Sequence, residues 1–292
     1  MRFFCLVWIA FVVLFASENI EQSDLYKKKD NLQKEQAPTS WIHSVGMIVS
    51  YFDNGNMTQG YGVLLKEGYF ITASNLVYNH QEYPKDIYVK MQDDSAKPLI
   101  CVAKLQVKAI DEQKGLALLK TVAYTDDYCK ERGQSFYHKR IYELYSLNPF
   151  LYPVNTFFID SVQNFEDFGF LYPNIGKQYT FSVNKIIKAR KITYFDKNFK
   201  QNIFYAYLPE NNLDQQRELG KPFFDAKNVL VGLYAVTSYE KEAVIVNSNF
   251  IKSFLCSLQA DFELSTWNKE DCRNFQQNLL KNMESITKQK TK

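Results

Sequence analysis

The chain has 292 residues, with 35 Lys and Arg against 32 Asp and Glu, 46% hydrophobic and 23% charged residues. Such usage excludes a wholly disordered chain and a multi-span membrane protein, and leaves one large domain or two small ones. The net charge of +3 is scattered, so the sequence has no electrostatic footprint for nucleic acid. Glycine is scarce at 11 residues, about half the usual ~7%, which leans against chemistry built on glycine-rich loops.

In chain order, Arg2 precedes an apolar run over 3–16 and then polar Ser17-Glu18-Asn19. A basic start, a short apolar stretch and a small terminal residue predict a secretory signal peptide over 1–16, cleaved after Ala16. The run is shorter than the ~20 residues of a comfortable span. Retention as an anchor is the alternative. The mature protein is expected to be exported and soluble, with no membrane span left after cleavage. Residues 17–39, including Lys27-Lys28-Lys29, read as a solvated polar tail.

From Ser40 onward, short β-type runs alternate with turns. They fall at 46–51, 61–65, 69–73, 86–91, 99–110 and 116–120, then at 141–147, 156–162, 178–183, 203–208, 230–236 and 243–246. Many short strands at near-regular spacing predict an all-β barrel or sandwich. Helices are expected only at 247–258 and about 269–286, where Phe275, Leu279 and Met283 give one apolar face.

Outside the leader, with its Cys5, stand Cys101, Cys129, Cys256 and Cys272. An even number in an exported chain predicts disulfides. Three pairings exist, and the local one joins Cys101 to Cys129 and Cys256 to Cys272. No CxxC spacing suggests zinc or redox chemistry. His43, His80 and His138 are scattered, so neither a metal nor a cofactor is expected.

The strand series then takes on a resemblance. Gly60-Tyr-Gly-Val-Leu-Leu-Lys-Glu-Gly-Tyr-Phe-Ile-Thr-Ala-Ser-Asn75 resembles the first-barrel motif of trypsin-like serine proteases, of the HtrA/DegP type. Asp111-Glu-Gln-Lys-Gly-Leu-Ala-Leu-Leu-Lys120 is similar to that family's Asp-x-x-x-Asp-Leu-Ala-Leu-Leu-Lys segment. Leu147-Asn148-Pro149-Phe150 is similar to its turn into the second barrel. Leu219-Gly220-Lys221-Pro222-Phe-Phe-Asp-Ala-Lys-Asn-Val-Leu-Val-Gly232 resembles its Ser-Gly-Gly-Pro segment, and Val246-Asn-Ser-Asn-Phe-Ile-Lys252 its closing helix. The resemblance implies two six-stranded antiparallel β-barrels, chymotrypsin-like, with C-terminal helices. The domain would span 40–258, with barrels at about 40–135 and 136–250. Residues 259–292 would carry an amphipathic helix and tail in place of a PDZ domain.

Peptide hydrolysis in this family uses a Ser nucleophile, a His base and an Asp that orients the His. By the resemblance, the His position is Asn75, the Asp position Gly115 and the Ser position Leu219. The oxyanion loop carries Arg217 and Lys221. His80, about 16 Å along an extended strand from Asn75, is too far to substitute. The expectation is therefore a chain that is not an enzyme, a structural or adaptor protein in a periplasmic envelope assembly such as a flagellar-motor scaffold. A periplasmic peptide-binding or protease-regulating module is the alternative, and an active serine protease the weakest reading. Partners would be envelope proteins or a second copy. Two apolar groups are candidate contacts: Phe165, Phe168, Phe170 and Tyr172 in a loop over 165–172, and Phe275, Leu279 and Met283 on the last helix.

Overall fold

Alternation of inward and outward side chains builds the first barrel. In the computed structural model, which describes residues 40–79, 81–150, 168–196, 201–209, 213–214, 216–225, 227–258 and 270–277, the clearest case is β4 (Asp86–Met91). There Ile87, Val89 and Met91 are buried and the residues between them are half-exposed, the two-residue period of a strand with one face on a core. The signal peptide, the 17–39 tail, the 156–162 strand, Phe165, His80, Leu279 and Met283 lie outside the described residues.

The other strands of this barrel are β1 (Val45–Tyr51), β2 (Met57–Leu65), β3 (Tyr69–Ala73), β5 (Ile100–Asp111) and β6 (Leu116–Thr125). Their order is β3-β2-β1-β4-β5-β6, closed by β3 pairing with β6, and short β7 (Glu131–Arg132) adds to β6. The second barrel closes in the order β10-β13-β12-β11-β8-β9. Its strands are β8 (Phe168–Ile175), β9 (Phe181–Asp196), β10 (Gln201–Pro209), β11 (Pro222–Phe224), β12 (Leu230–Thr237) and β13 (Glu240–Asn247). All the strand pairs are antiparallel. The expected fold of two six-stranded barrels is thus the observed one. One apolar cluster runs through both, from Val63 and Phe70 to Tyr207, Phe223 and Val244.

Two local expectations are corrected. Residues 141–147 do not form a strand; α1 (Phe136–Tyr145) occupies the region. Tyr137, Ile141, Tyr142 and Tyr145 recur at helical spacing and pack on the core. The helix starts on an unusual box. His138 Nε2 donates to the Thr125 carbonyl at 2.9 Å, so its Nδ1 accepts from the Ser135 backbone N–H at 3.0 Å. The 165–172 segment is likewise no loop beyond Phe168, because β8 begins there. Phe170 is buried against Tyr207 and Phe223, so its apolar surface is covered within the chain.

At the other end, α2 (Ser248–Ser257) follows β13, and Asn247 Oδ1 accepts from the Asn249 N–H as its cap. A helical segment at 270–277 is joined to it by the Cys256–Cys272 disulfide. Phe275 there is buried and meets Phe150 edge-on, which makes it a packing residue of this chain. The Cys101–Cys129 disulfide is the other bridge. Both local pairings are as expected, and they suit an oxidising compartment. Among the described residues no helix is long and apolar enough to cross a membrane.

Candidate functional site

The residues singled out by the resemblance meet where the barrels touch. Asn75 sits in a single 3-10 turn, Ser74–Leu76, that ends β3. The Ser74 N–H donates to the Gly115 carbonyl at 2.9 Å, which ties that turn to the loop leading into β6. Gly115 has φ of +69°, and a Cβ there would lie 2.0 Å from the Val236 carbonyl oxygen of the second barrel. Only glycine lets the two backbones approach so closely.

Leu219 reaches the same region from the second barrel. Its carbonyl accepts from the Tyr61 N–H at 2.8 Å, and its side chain is buried. A Cβ on Gly60 would fall within 2.8 Å of both the Leu219 carbonyl and the Leu76 side chain, so the Asn75 turn and Leu219 flank one point of β2. Gly220 follows with φ of +76°, and its N–H donates to the Tyr234 carbonyl at 2.7 Å. Gly115 and Leu219 are therefore held at the seam by backbone contacts, and the turn that carries Asn75 lies beside them through Ser74 and Leu76. A carboxamide, a hydrogen and an isobutyl group offer packing and hydrogen bonding there; an amide side chain neither takes up nor returns a proton near neutral pH.

The loop before β11 is held by its own charges. The Glu218 carboxylate accepts from the Asp214 N–H at 2.9 Å and pairs with the Lys221 ammonium. Lys221 is fully buried, with Nζ 4.9 Å from the Tyr61 ring centre and 5.0 Å from that of Tyr172. Burial pulls the Lys221 ammonium below its ordinary value, and Glu218 opposes that shift. Burial likewise raises the Tyr61 phenol, with Glu218 adding to it. Arg217 points into solvent, with Nε 3.9 Å from Asp214. Lys221 was expected only as a departure in a loop. The Glu218–Lys221 spacing is the signal in the sequence for its ion pair, and nothing local announces its aromatic cage. Tyr172 touches Lys221 from β8, which places one of the candidate contact residues against this site.

His43 and His138 serve elsewhere. His43 Nδ1 lies 3.3 Å from the Gln92 carbonyl, and His138 belongs to the α1 cap. Among the described residues no group of three His, Cys, Asp or Glu side chains could hold a metal ion.

No protein-family model matches the chain. No curated protein matches it either. Solved structures do. The Rv3671c protease of M. tuberculosis, in its active form, is 12% identical with a TM-score of 0.43, over 74% of this chain and 81% of that one. The serine endoprotease of Yersinia pestis is 14% identical with a TM-score of 0.43, over 77% and 68%. Deg5 is 16% identical with a TM-score of 0.45, over 78% and 92%. The two closed six-stranded barrels make the fold chymotrypsin-like. These findings overturn the expectation that the chain is not an enzyme: the structures it is similar to include an active protease and a serine endoprotease. Nothing in the described residues shows that hydrolysis has been lost, and the assignment of Asn75, Gly115 and Leu219 to catalytic positions rests on the sequence resemblance.

Proposed function

We propose that the protein is exported to the periplasm and serves as a structural or adaptor protein of an envelope assembly, of which a flagellar-motor scaffold is an example, by holding protein partners on its double barrel. The observation that carries this reading is the seam. Gly115 approaches the Val236 carbonyl and the Leu219 carbonyl accepts from the Tyr61 N–H, each across the two barrels, with the turn that carries Asn75 tied to Gly115 and a caged Lys221 nearby. A double barrel fastened by backbone contacts at its seam suits a part that transmits position. Two disulfides and the leader-like start support export.

The test is cross-linking of the tagged full chain in the envelope of its own host, with casein hydrolysis measured on the same preparation. A stable stoichiometric complex, or self-association, is the expected result. A monomer that captures nothing and cleaves casein would overturn the proposal. A monomer whose melting temperature rises with extended peptides would favour a peptide-binding or protease-regulating module instead.

A further inference from the structure

The tip of the hairpin between β1 and β2 carries chemistry of its own. Asn54-Gly55 is the only Asn-Gly pair in the sequence. Asp53, Asn54, Gly55 and Asn56 are all exposed, beyond the last strand pair of Tyr51 with Met57. Phe52 closes the turn: its N–H donates to the Asn56 carbonyl at 2.9 Å, and its carbonyl accepts from the Gly55 N–H at 3.0 Å. Gly55 has φ of +81°, and a Cβ there would meet nothing within 4 Å. An exposed loop tip with so little packed against it opens locally at small cost.

The Asn54 side chain folds back over the peptide that follows it. Its Oδ1 accepts from the Asn56 N–H at 2.9 Å, an Asx turn. That bond brings the carboxamide to the backbone and places a donor on the oxygen where negative charge gathers when the carbon is attacked. The nucleophile beside it is the Gly55 nitrogen, and with no Cβ on Gly55 nothing screens its approach. At its other end the carboxamide donates from Nδ2 to Glu82 Oε2 at 3.0 Å. This joins the hairpin tip to a separate turn, in which Asn79 and Glu82 exchange backbone hydrogen bonds at 3.1 and 2.9 Å.

We propose that Asn54 is a site of spontaneous modification: it converts to aspartate and isoaspartate through a cyclic imide with Gly55, and the change parts the hairpin tip from Glu82. The Gly55 nitrogen gives its proton to solvent and forms a bond to Asn54 Cγ. The Cγ–Nδ2 bond breaks, and Nδ2 leaves as ammonia with a proton taken from solvent. Water then opens the imide. Attack at the side-chain carbonyl yields aspartate; attack at the main-chain carbonyl yields isoaspartate, with the main chain rerouted through the former side chain. Nothing is oxidised or reduced. Either product replaces a donor to Glu82 by a second carboxylate, and like charges so close repel. The inference needs no partner and is independent of any envelope assembly.

The test incubates the full oxidised chain in mildly alkaline buffers. Peptide mapping by mass spectrometry reads the change from amide to acid, and isoaspartyl methyltransferase labelling reads isoaspartate. Expected are conversion at Asn54 at least tenfold faster than at buried Asn247, isoaspartate as the larger product, a rate that rises with pH, and at least fivefold slower conversion in Gly55→Ala. Asn54→Asp, which carries one product from the start, should exchange amide hydrogens over 79–82 at least twofold faster than the parent. Circular dichroism verifies that both variants are folded. Equal rates at Asn54 and Asn247, a product without isoaspartate, or Gly55→Ala converting as fast as the parent would each overturn the modification. Unchanged exchange in Asn54→Asp would overturn its effect on the Glu82 contact.

Discussion

Replacing Gly115 by alanine tests how closely the barrels are fastened. Two penalties add there. A φ of +69° costs a residue with a Cβ about 1–2 kcal/mol. The new methyl would also stand 2.0 Å from the Val236 carbonyl oxygen and 3.2 Å from the Ala235 side chain, an overlap with backbone that is relieved only by moving β12 or the loop, at about 1–3 kcal/mol. Together they predict a loss of about 2–5 kcal/mol, a large share of the roughly 5–15 kcal/mol that holds a domain folded. Urea unfolding should show the midpoint falling by roughly 1 M or more with an unchanged slope. The same exchange at Gly133, where a Cβ meets nothing within 4 Å, is the internal control. It should leave stability unchanged or raise it by up to about 1 kcal/mol. Gly115→Ala behaving like Gly133→Ala would refute the contact across the seam.

Three other predictions use other parts of the molecule. Burial holds both His43 and His138 below the ordinary imidazole value, so the unfolded chain takes up protons first as pH falls. Stability should be full above about pH 6.5 and decline below it until the folded-state values are reached, by at most about 1.4 kcal/mol per pH unit for each histidine; urea midpoints from pH 7.5 to 5.0 that rise on acidification would contradict this. Lys221→Met leaves the Glu218 carboxylate without its cation and should cost about 2–3 kcal/mol, below the full figure for a buried pair because Glu218 is part-exposed, whereas Lys221→Met with Glu218→Gln should recover most of it. Equal melting of the single and double variants would count against the ion pair. Serine pairs replacing Cys256–Cys272 or Cys101–Cys129, which close separations of 16 and 28 residues, should each cost roughly 3–4 kcal/mol, and thiol labelling of the unreduced mature chain should find no free cysteine.

How much of this was legible varies by element. Strands at 61–65, 69–73, 86–91 and 116–120 announce themselves because apolar runs with turn residues at both ends have few other ways to be buried. The helix α1 does not, since its start uses His138 where the familiar pattern has Glu or Gln, and Ile141 amid tyrosines looks like a strand. The β8 strand is disguised by Gly169 and Pro173, residues that ordinarily mark turns. At the seam, Asn75, Gly115 and Leu219 are readable from ordered motifs. Their contacts are not: Gly115 meets Val236, and Leu219 meets Tyr61, across stretches of chain no local pattern spans. Lys221 shows the same limit, because a lysine read from sequence belongs in solvent; Glu218 is three residues away, but only the closed fold supplies the two aromatic rings that receive it.

The bridge between α2 and the 270–277 helix has a mechanical side. A covalent bond does not stretch as a peptide chain does, so tension applied beyond Cys272 enters α2 at Cys256 and by-passes every residue between the two cysteines. The load falls instead on the packing of Ile251, Phe254 and Leu255, all buried in or against the second barrel. Reduction would reroute the pull, which would then reach α2 only through the main chain between the two cysteines.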